Sequence, residues 1–237
     1  MSLIDQYNRT IKYLRLSVTD RCDLRCFYCM PNDYRDFEEP AEWLSFSEIE
    51  RVVASFTRLG VTSVRITGGE PLVRRNLPEL AKNLAALPGL EDLSLSTNAT
   101  RLAKNARALK ASGISRINVS LDTIDPIKFK KITQGKLEKI IDGLMAAKKA
   151  GISPIKINMV IMKGVNDDDV EDMVNFCMEN KFILRFIETM PVGDSGRNAV
   201  DYFIDLHDIE TRLGEKFDLI PTVMPGAGAG PALSLIH

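Results

Sequence analysis

The 237-residue sequence predicts an α/β fold, a partial (β/α)6 TIM-like barrel on six parallel strands. Strand-like and helix-like segments alternate with short connections, the pattern of parallel strands joined by right-handed crossovers. Residues of unusual chemistry fall at or just past every strand end: Cys22 to Cys29, Gly68 to Pro71, Thr97–Asn98, Ser120–Asp122, Lys163–Gly164 and Glu188–Met190. A doubly wound sheet gathers such residues at one crevice, whereas a barrel gathers them from many strand ends, so the distribution favours the barrel.

The elements follow in order. YLRLSV (13–18) reads as the first strand and runs into the cysteine loop. In SFSEIERVVASFTRLG, Ser45 or Ser47 offers a helix cap, Glu48 and Glu50 sit in the first turn, and Gly60 is a stop. SVRIT (63–67) is the second strand, followed by a helix from Pro78 to Leu87. LEDLSLST (90–97) is the third, with a helix over 101–112 ending at Gly113. SRINVSL (115–121) is the fourth; a helix over 137–150 ends at Gly151 before PIKINMVI (154–161), the fifth. Asp167 to Asn180 is helical, and FILRFIE (182–188) is the sixth strand.

Residues 1–190 therefore form the barrel core, and 191–237 a thinner C-terminal region. Its first part, PVGDSGRNAVDYF, reads as a loop and LHDIETRLGEKF as a short helix. Three glycines and two prolines between Pro225 and Pro231 argue against a packed element there.

Composition excludes several function classes. Basic and acidic residues number 31 and 32, for a net charge of −1, which argues against a nucleic-acid binder. No run of 18 apolar residues exists to span a membrane, and the N-terminus has no apolar signal core, so a cytoplasmic enzyme is expected. Three of the four cysteines fall within eight residues, a poor disulfide framework and a good metal site in a reducing compartment.

That site is Cys22-Asp-Leu-Arg-Cys26-Phe-Tyr-Cys29. Thiolates are soft ligands suited to zinc or iron–sulfur centres. A tetrahedral zinc site needs a fourth ligand, and Cys177, His207 and His237 are poor candidates: Cys177 lies on the apolar side of a helix, and neither histidine has a partner at ligand spacing. Three ligands without a fourth suit a 4Fe–4S cluster with one iron open to an exogenous ligand. A zinc knuckle is the competing reading.

Thr67-Gly68-Gly69-Glu70-Pro71 ends the second strand. Adjacent glycines let backbone approach a ligand closely, and proline stiffens the exit. As a bare pattern it is a common turn, and the spacing is not that of a dinucleotide-binding fingerprint.

Period-two alternation puts Arg15, Arg65, Lys156 and Arg185 on the polar sides of four strands, together with Ser94, Ser96, Asn118, Ser120 and Asp122. Four cations against one in-phase acid, Asp122, are costly to bury unless an anion compensates. A polyphosphate suits arginine forks best.

CDLRCFYC resembles the cysteine signature of the radical S-adenosylmethionine (SAM) superfamily. LRLSVTDRCDLRCFYCMP with RITGGEPLVRR resembles its GTP 3′,8-cyclase family, which acts in molybdenum cofactor biosynthesis; the resemblance covers nearly all of residues 5–225. It implies a 4Fe–4S cluster on Cys22, Cys26 and Cys29, with SAM on its open iron. Tyr28 is then near the SAM adenine, Gly68, Gly69 and Glu70 at the SAM amino group, and Ser120 and Met190 along the SAM site. Arg15, Arg65, Ser96, Lys156 and Arg185 are implied as GTP contacts, with Thr97 and Asn98 as second choices. The implied reaction takes hydrogen from C3′ of GTP and joins C3′ to C8, giving (8S)-3′,8-cyclo-7,8-dihydroguanosine 5′-triphosphate. The implied partners are an electron donor such as flavodoxin or ferredoxin, and cyclic pyranopterin monophosphate synthase; an apolar barrel edge left uncovered would invite self-association, a homodimer being one form, and the sequence does not fix the oligomeric state.

The family pattern also has a second 4Fe–4S cluster on three later cysteines and a closing glycine pair. No cysteine follows Cys177. Residues 191–237 thus read as incomplete, without the second cluster-binding segment, and efficient GTP cyclization by residues 1–237 alone is not expected. The alternatives are a radical SAM enzyme with another anionic substrate, or a cluster-binding fragment without catalysis.

Overall fold

The computed structural model describes residues 3–29, 34, 37, 40–190, 200–220 and 232–235. The strands are β1 (Tyr13–Ser17), β2 (Ser63–Thr67), β3 (Asp92–Thr97), β4 (Arg116–Ser120), β5 (Ile155–Ile161), β6 (Ile183–Glu188) and β7 (Ala232–Leu235). The helices are α1 (Phe46–Arg58), α2 (Leu77–Ala85), α3 (Leu102–Ala111), α4 (Pro126–Thr133), α5 (Leu137–Lys149), α6 (Val170–Asn180) and α7 (Leu206–Gly214). The chain forms two compact units, one of residues 1–24, 34–120 and 138–155, the other of 25–33, 121–137 and 156–237.

In the first unit β1 to β4 are parallel neighbours in chain order. Partners in a parallel ladder share a face, so the alternation of each strand becomes one apolar and one polar face. Val64, Ile66, Leu95, Ile117 and Val119 on the apolar face are fully buried, as are Val53 of α1, Leu80 of α2 and Leu109 of α3. Burial of each such side chain stabilises by about 1.5–3 kcal/mol. Ser45 is the α1 cap: its Oγ accepts the Glu48 N–H while Glu48 accepts the Ser45 N–H at 2.8 Å, a reciprocal pair that Ser47 does not make.

In the second unit β5 and β6 are parallel, and Leu121 N donates to Asn158 O at 3.0 Å. Two elements there depart from the sequence expectation. Helix α4 was not anticipated, although its signals are ordinary: Asp125 caps it by accepting from Ile127 N and Lys128 N at 2.7 and 2.8 Å, Pro126 enters it, and Gln134 closes it at φ 60°. Strand β7, which pairs antiparallel with β6, follows the glycine- and proline-rich segment. That segment, 221–231, and the loop 191–199 lie outside the described residues. No described helix is long and apolar enough to cross a membrane.

Candidate functional site

In the first unit the cysteine loop and the Gly-Gly-Glu-Pro turn are one structure. Gly69 N donates to Thr19 O and Glu70 N to Arg21 O, both at 2.7 Å. A Cβ on Gly68 would lie 2.4 Å from Thr19 O, and one on Gly69 2.4 Å from Arg21 O and 2.5 Å from Asp20 O. The sequence reading assigned these glycines to the approach of a ligand. The close approach in the structure is that of the protein's own backbone leading into Cys22.

Glu70 is fully buried, and its carboxylate is occupied within the protein. Oε1 accepts from Leu72 N at 3.0 Å and Thr97 Oγ1 at 2.7 Å, and Oε2 from Asn98 N at 2.6 Å. Burial pushes its pKa up to about 7 against these hydrogen bonds. Its side chain thus joins the ends of β2 and β3.

Asn98 extends the connection to the first cysteine. Its Nδ2 lies 3.6 Å from Cys22 Sγ and 2.9 Å from Asp23 Oδ1. Leu24 N is a second donor to Cys22 Sγ, at 3.5 Å. Burial raises the Cys22 thiol pKa. Two N–H groups aimed at one sulfur suit a thiolate that ligates iron, because they disperse its charge.

The second unit holds Cys26, Tyr28 and Cys29. The helix that sequence reasoning missed seats them: Arg25 N donates to Thr133 O at 2.9 Å and Phe27 N to Ile132 O at 3.1 Å, using carbonyls from the end of α4. Cys29 N donates to Cys26 O at 2.9 Å, closing a tight turn. Tyr28 Oη donates to Asp122 Oδ2 at 2.6 Å, and Asp122 Oδ1 accepts from Val160 N at 2.9 Å. Burial pushes Asp122 up to about 6; burial and then the Asp122 charge hold Tyr28 well above its ordinary value and raise Cys29. Cys29 is exposed and Cys26 half-buried. Cys177 is 1% exposed, with its thiol pushed up to about 12, which suits the inert core thiol expected of it. Among the described residues, no three His, Cys, Asp or Glu side chains form a preassembled metal site.

The polar faces carry the residues that alternation put there. Arg15, Arg65 and Ser94 are in register with one another and with Arg116; one step on, Ser96 pairs with Asn118. In the second unit Lys156 pairs with Ile183 and Asn158 with Arg185. Burial differs from the expectation. Arg15 is exposed, Arg65 and Arg185 are half-buried, and only Lys156, at 8% exposed, is buried. Desolvation therefore bears on Lys156 and on the buried Nε of Arg65 rather than on all four cations alike. A further pair shares the face in the first unit: Asp92 binds Arg116 through Nε at 3.1 Å and Nη2 at 2.5 Å, and also receives Ser63 Oγ at 2.7 Å. Period two applied from Ser94 and Asn118 would have found both residues. Asp122 is taken up by Tyr28 and Val160, so it is no simple counter-ion for the cations.

Two amide oxygens on these faces, Asn118 Oδ1 and Asn158 Oδ1, are buried and accept no hydrogen bond among the described residues. An unmet buried acceptor costs about 1–3 kcal/mol, so both faces suit a polar ligand with N–H or O–H groups. Ser120, Gly69 and Met190 are exposed at the strand ends.

Comparison with known proteins gives a consistent result. A family model described as the radical SAM superfamily matches residues 16–177. A GTP 3′,8-cyclase of Hydrogenovibrio crunogenus is 49% identical over 225 residues, 93% of this chain and 68% of that protein. One from Petrotoga mobilis is 42% identical over 95% of this chain and 70% of its own length. Streptococcus suis SuiB, solved bound to S-adenosylmethionine, superimposes with TM-score 0.72 at 24% identity, over 86% of this chain and 46% of that one. That likeness bears out the expected partial (β/α)6 barrel.

Proposed function

The chain belongs to the radical SAM superfamily and, within it, to the GTP 3′,8-cyclase family, and from that premise we propose that it carries the SAM-cleaving, GTP-binding core of an enzyme that converts GTP to (8S)-3′,8-cyclo-7,8-dihydroguanosine 5′-triphosphate for molybdenum cofactor biosynthesis. The observation that carries the reading is the union of two motifs: the segment entering Cys22 is hydrogen-bonded to the Gly69–Glu70 turn, and Asn98 connects Glu70 to Cys22 Sγ.

In this reading Cys22, Cys26 and Cys29 hold one 4Fe–4S cluster. When bound and reduced, the cluster supplies the electron that cleaves SAM and so begins hydrogen abstraction from the substrate. The protein's own part is placement. Gly69, Ser120 and Met190 border the SAM site, and Tyr28, fixed through its hydroxyl by Asp122, presents a ring of set orientation to the adenine. Arg15, Arg65, Lys156 and Arg185 take the triphosphate, and Ser96 of β3 is a further GTP contact. Bringing C3′ and C8 of one substrate together depends on that placement, and an error of about 1 Å costs on the order of a hundredfold in rate. An external one-electron donor of the flavodoxin or ferredoxin type serves the cluster.

Within residues 1–237 we assign one cluster, to Cys22, Cys26 and Cys29. Anaerobic reconstitution with iron and sulfide tests this directly. About four irons per chain are expected, with an electron paramagnetic resonance signal that changes on adding SAM. About eight irons would overturn the single cluster, and a signal indifferent to SAM would overturn the open coordination site.

A further inference from the structure

Both ends of the Asn98 side chain are committed. Oδ1 accepts from Thr100 N at 2.9 Å and Thr100 Oγ1 at 2.8 Å, while Nδ2 faces Asp23 Oδ1 at 2.9 Å and Cys22 Sγ at 3.6 Å. Turning the amide over would set an oxygen against a carboxylate and a sulfur, and an NH2 against the Thr100 N–H, so one orientation is favoured. The backbone beneath it is fixed by Glu70, which accepts the Asn98 N–H at 2.6 Å and the Thr97 hydroxyl at 2.7 Å. Asp23 is itself held by Arg101 Nε at 3.2 Å, and its Oδ2, 2.8 Å from Thr100 Oγ1, shares the one Thr100 hydroxyl proton with Asn98 Oδ1. Cys22 Sγ thus meets a side-chain donor that has little freedom to leave.

We propose that Asn98 is a positioning residue for the Cys22 ligand and raises the reduction potential of the cluster through its Nδ2–H···Sγ hydrogen bond. Reduction adds negative charge that spreads onto the ligand sulfurs. A donor aimed at a sulfur stabilises that charge and so favours the reduced form. Leu24 N, a further donor to Cys22, is backbone and survives any substitution at 98, so the contribution of the Asn98 side chain can be isolated. Glu70 acts one step removed, by fixing the residue that carries the donor.

The inference rests on the reading of Cys22 as a cluster ligand, and the test separates the two. Asn98→Leu keeps the branching at Cγ and removes the donor. Reconstituted wild-type and variant chains are titrated reductively and followed by electron paramagnetic resonance. At the wild-type midpoint, the variant's reduced-to-oxidised ratio is expected to fall about tenfold, a downward shift of about 59 mV for one electron. Equal midpoints in two fully loaded proteins would overturn the inference and leave the cluster assignment intact. A wild type that takes up no cluster would overturn the assignment, and the inference with it. Should the variant fail to load, the wild type decides: with asparagine labelled by 15N, the reduced cluster is expected to show a weak nitrogen hyperfine coupling, and its absence would overturn the role of Asn98.

Discussion

The phenol of Tyr28 donates to Asp122 Oδ2 at 2.6 Å, joining the cysteine loop to a carboxylate that is 3% exposed and already receives the Val160 N–H. Tyr28→Phe leaves that oxygen buried without its partner. The expected result is a loss of about 1–3 kcal/mol in unfolding free energy, read from denaturant midpoints of the apo-protein. An unchanged midpoint would mean that solvent replaces the phenol at no cost.

Buried carboxylates give the protein a pH dependence of defined sign. Folded Asp122 and Glu70 titrate at about 6 and about 7, above their ordinary 3.8 and 4.5. Between those values the folded state binds more protons than the unfolded one, so stability falls as pH rises through this window. Glu70→Gln removes one of the two groups. The stability difference between about pH 5 and about pH 8 is expected to shrink in the variant by roughly 1–3 kcal/mol, with the remaining slope due to Asp122 and others. Parallel curves for the two proteins would contradict the account of Glu70.

Gly69 has no room for a side chain. The atoms a Cβ would meet, Arg21 O and Asp20 O, are backbone on the way to Cys22. Gly69→Ala is expected to destabilise the fold by about 1–3 kcal/mol and to lower iron uptake on reconstitution. Gly214→Ala is the control, since nothing lies within 4 Å of its Cβ position at the end of α7; stability within about 1 kcal/mol of wild type and full iron uptake are expected there.

The two kinds of cation separate experimentally. Arg15 is exposed, so Arg15→Ala is expected to change stability by no more than about 0.5 kcal/mol while weakening GTP binding about tenfold. Lys156 is 8% exposed, and Lys156→Met at similar volume is expected to weaken GTP binding at least as much, without lowering stability as a truncation to Ala would. Equilibrium binding of GTP to the reconstituted protein reads both. Full affinity in either variant would remove that residue from the phosphate site.

Much of this arrangement was legible in the sequence because it depends on phase and on ends. Alternation in LSLST and PIKINMV gives the polar faces, and Gly60, Gly113 and Gly151 mark where helices stop. Depth was not legible: the same alternation describes exposed Arg15 and buried Lys156, because period two reports the face and not what covers it. Nor does a glycine name its neighbour. Gly68 and Gly69 signal a close approach, but only the fold shows that Thr19 to Arg21 make it. Helix α4 was passed over although Asp125-Pro126 is a clear start, since no expected strand called for it. It turned out to seat the loop carrying Cys26.

In the proposed function the cysteine loop directs radical chemistry at the ribose of GTP. The most direct measurement is isotope transfer: reconstituted, reduced protein is mixed with SAM and GTP deuterated at C3′, and the released 5′-deoxyadenosine is weighed by mass spectrometry. Deuterium in the deoxyadenosine, lost when Cys22, Cys26 or Cys29 is changed to serine, is the predicted result. Deoxyadenosine formed at full rate without deuterium would contradict it.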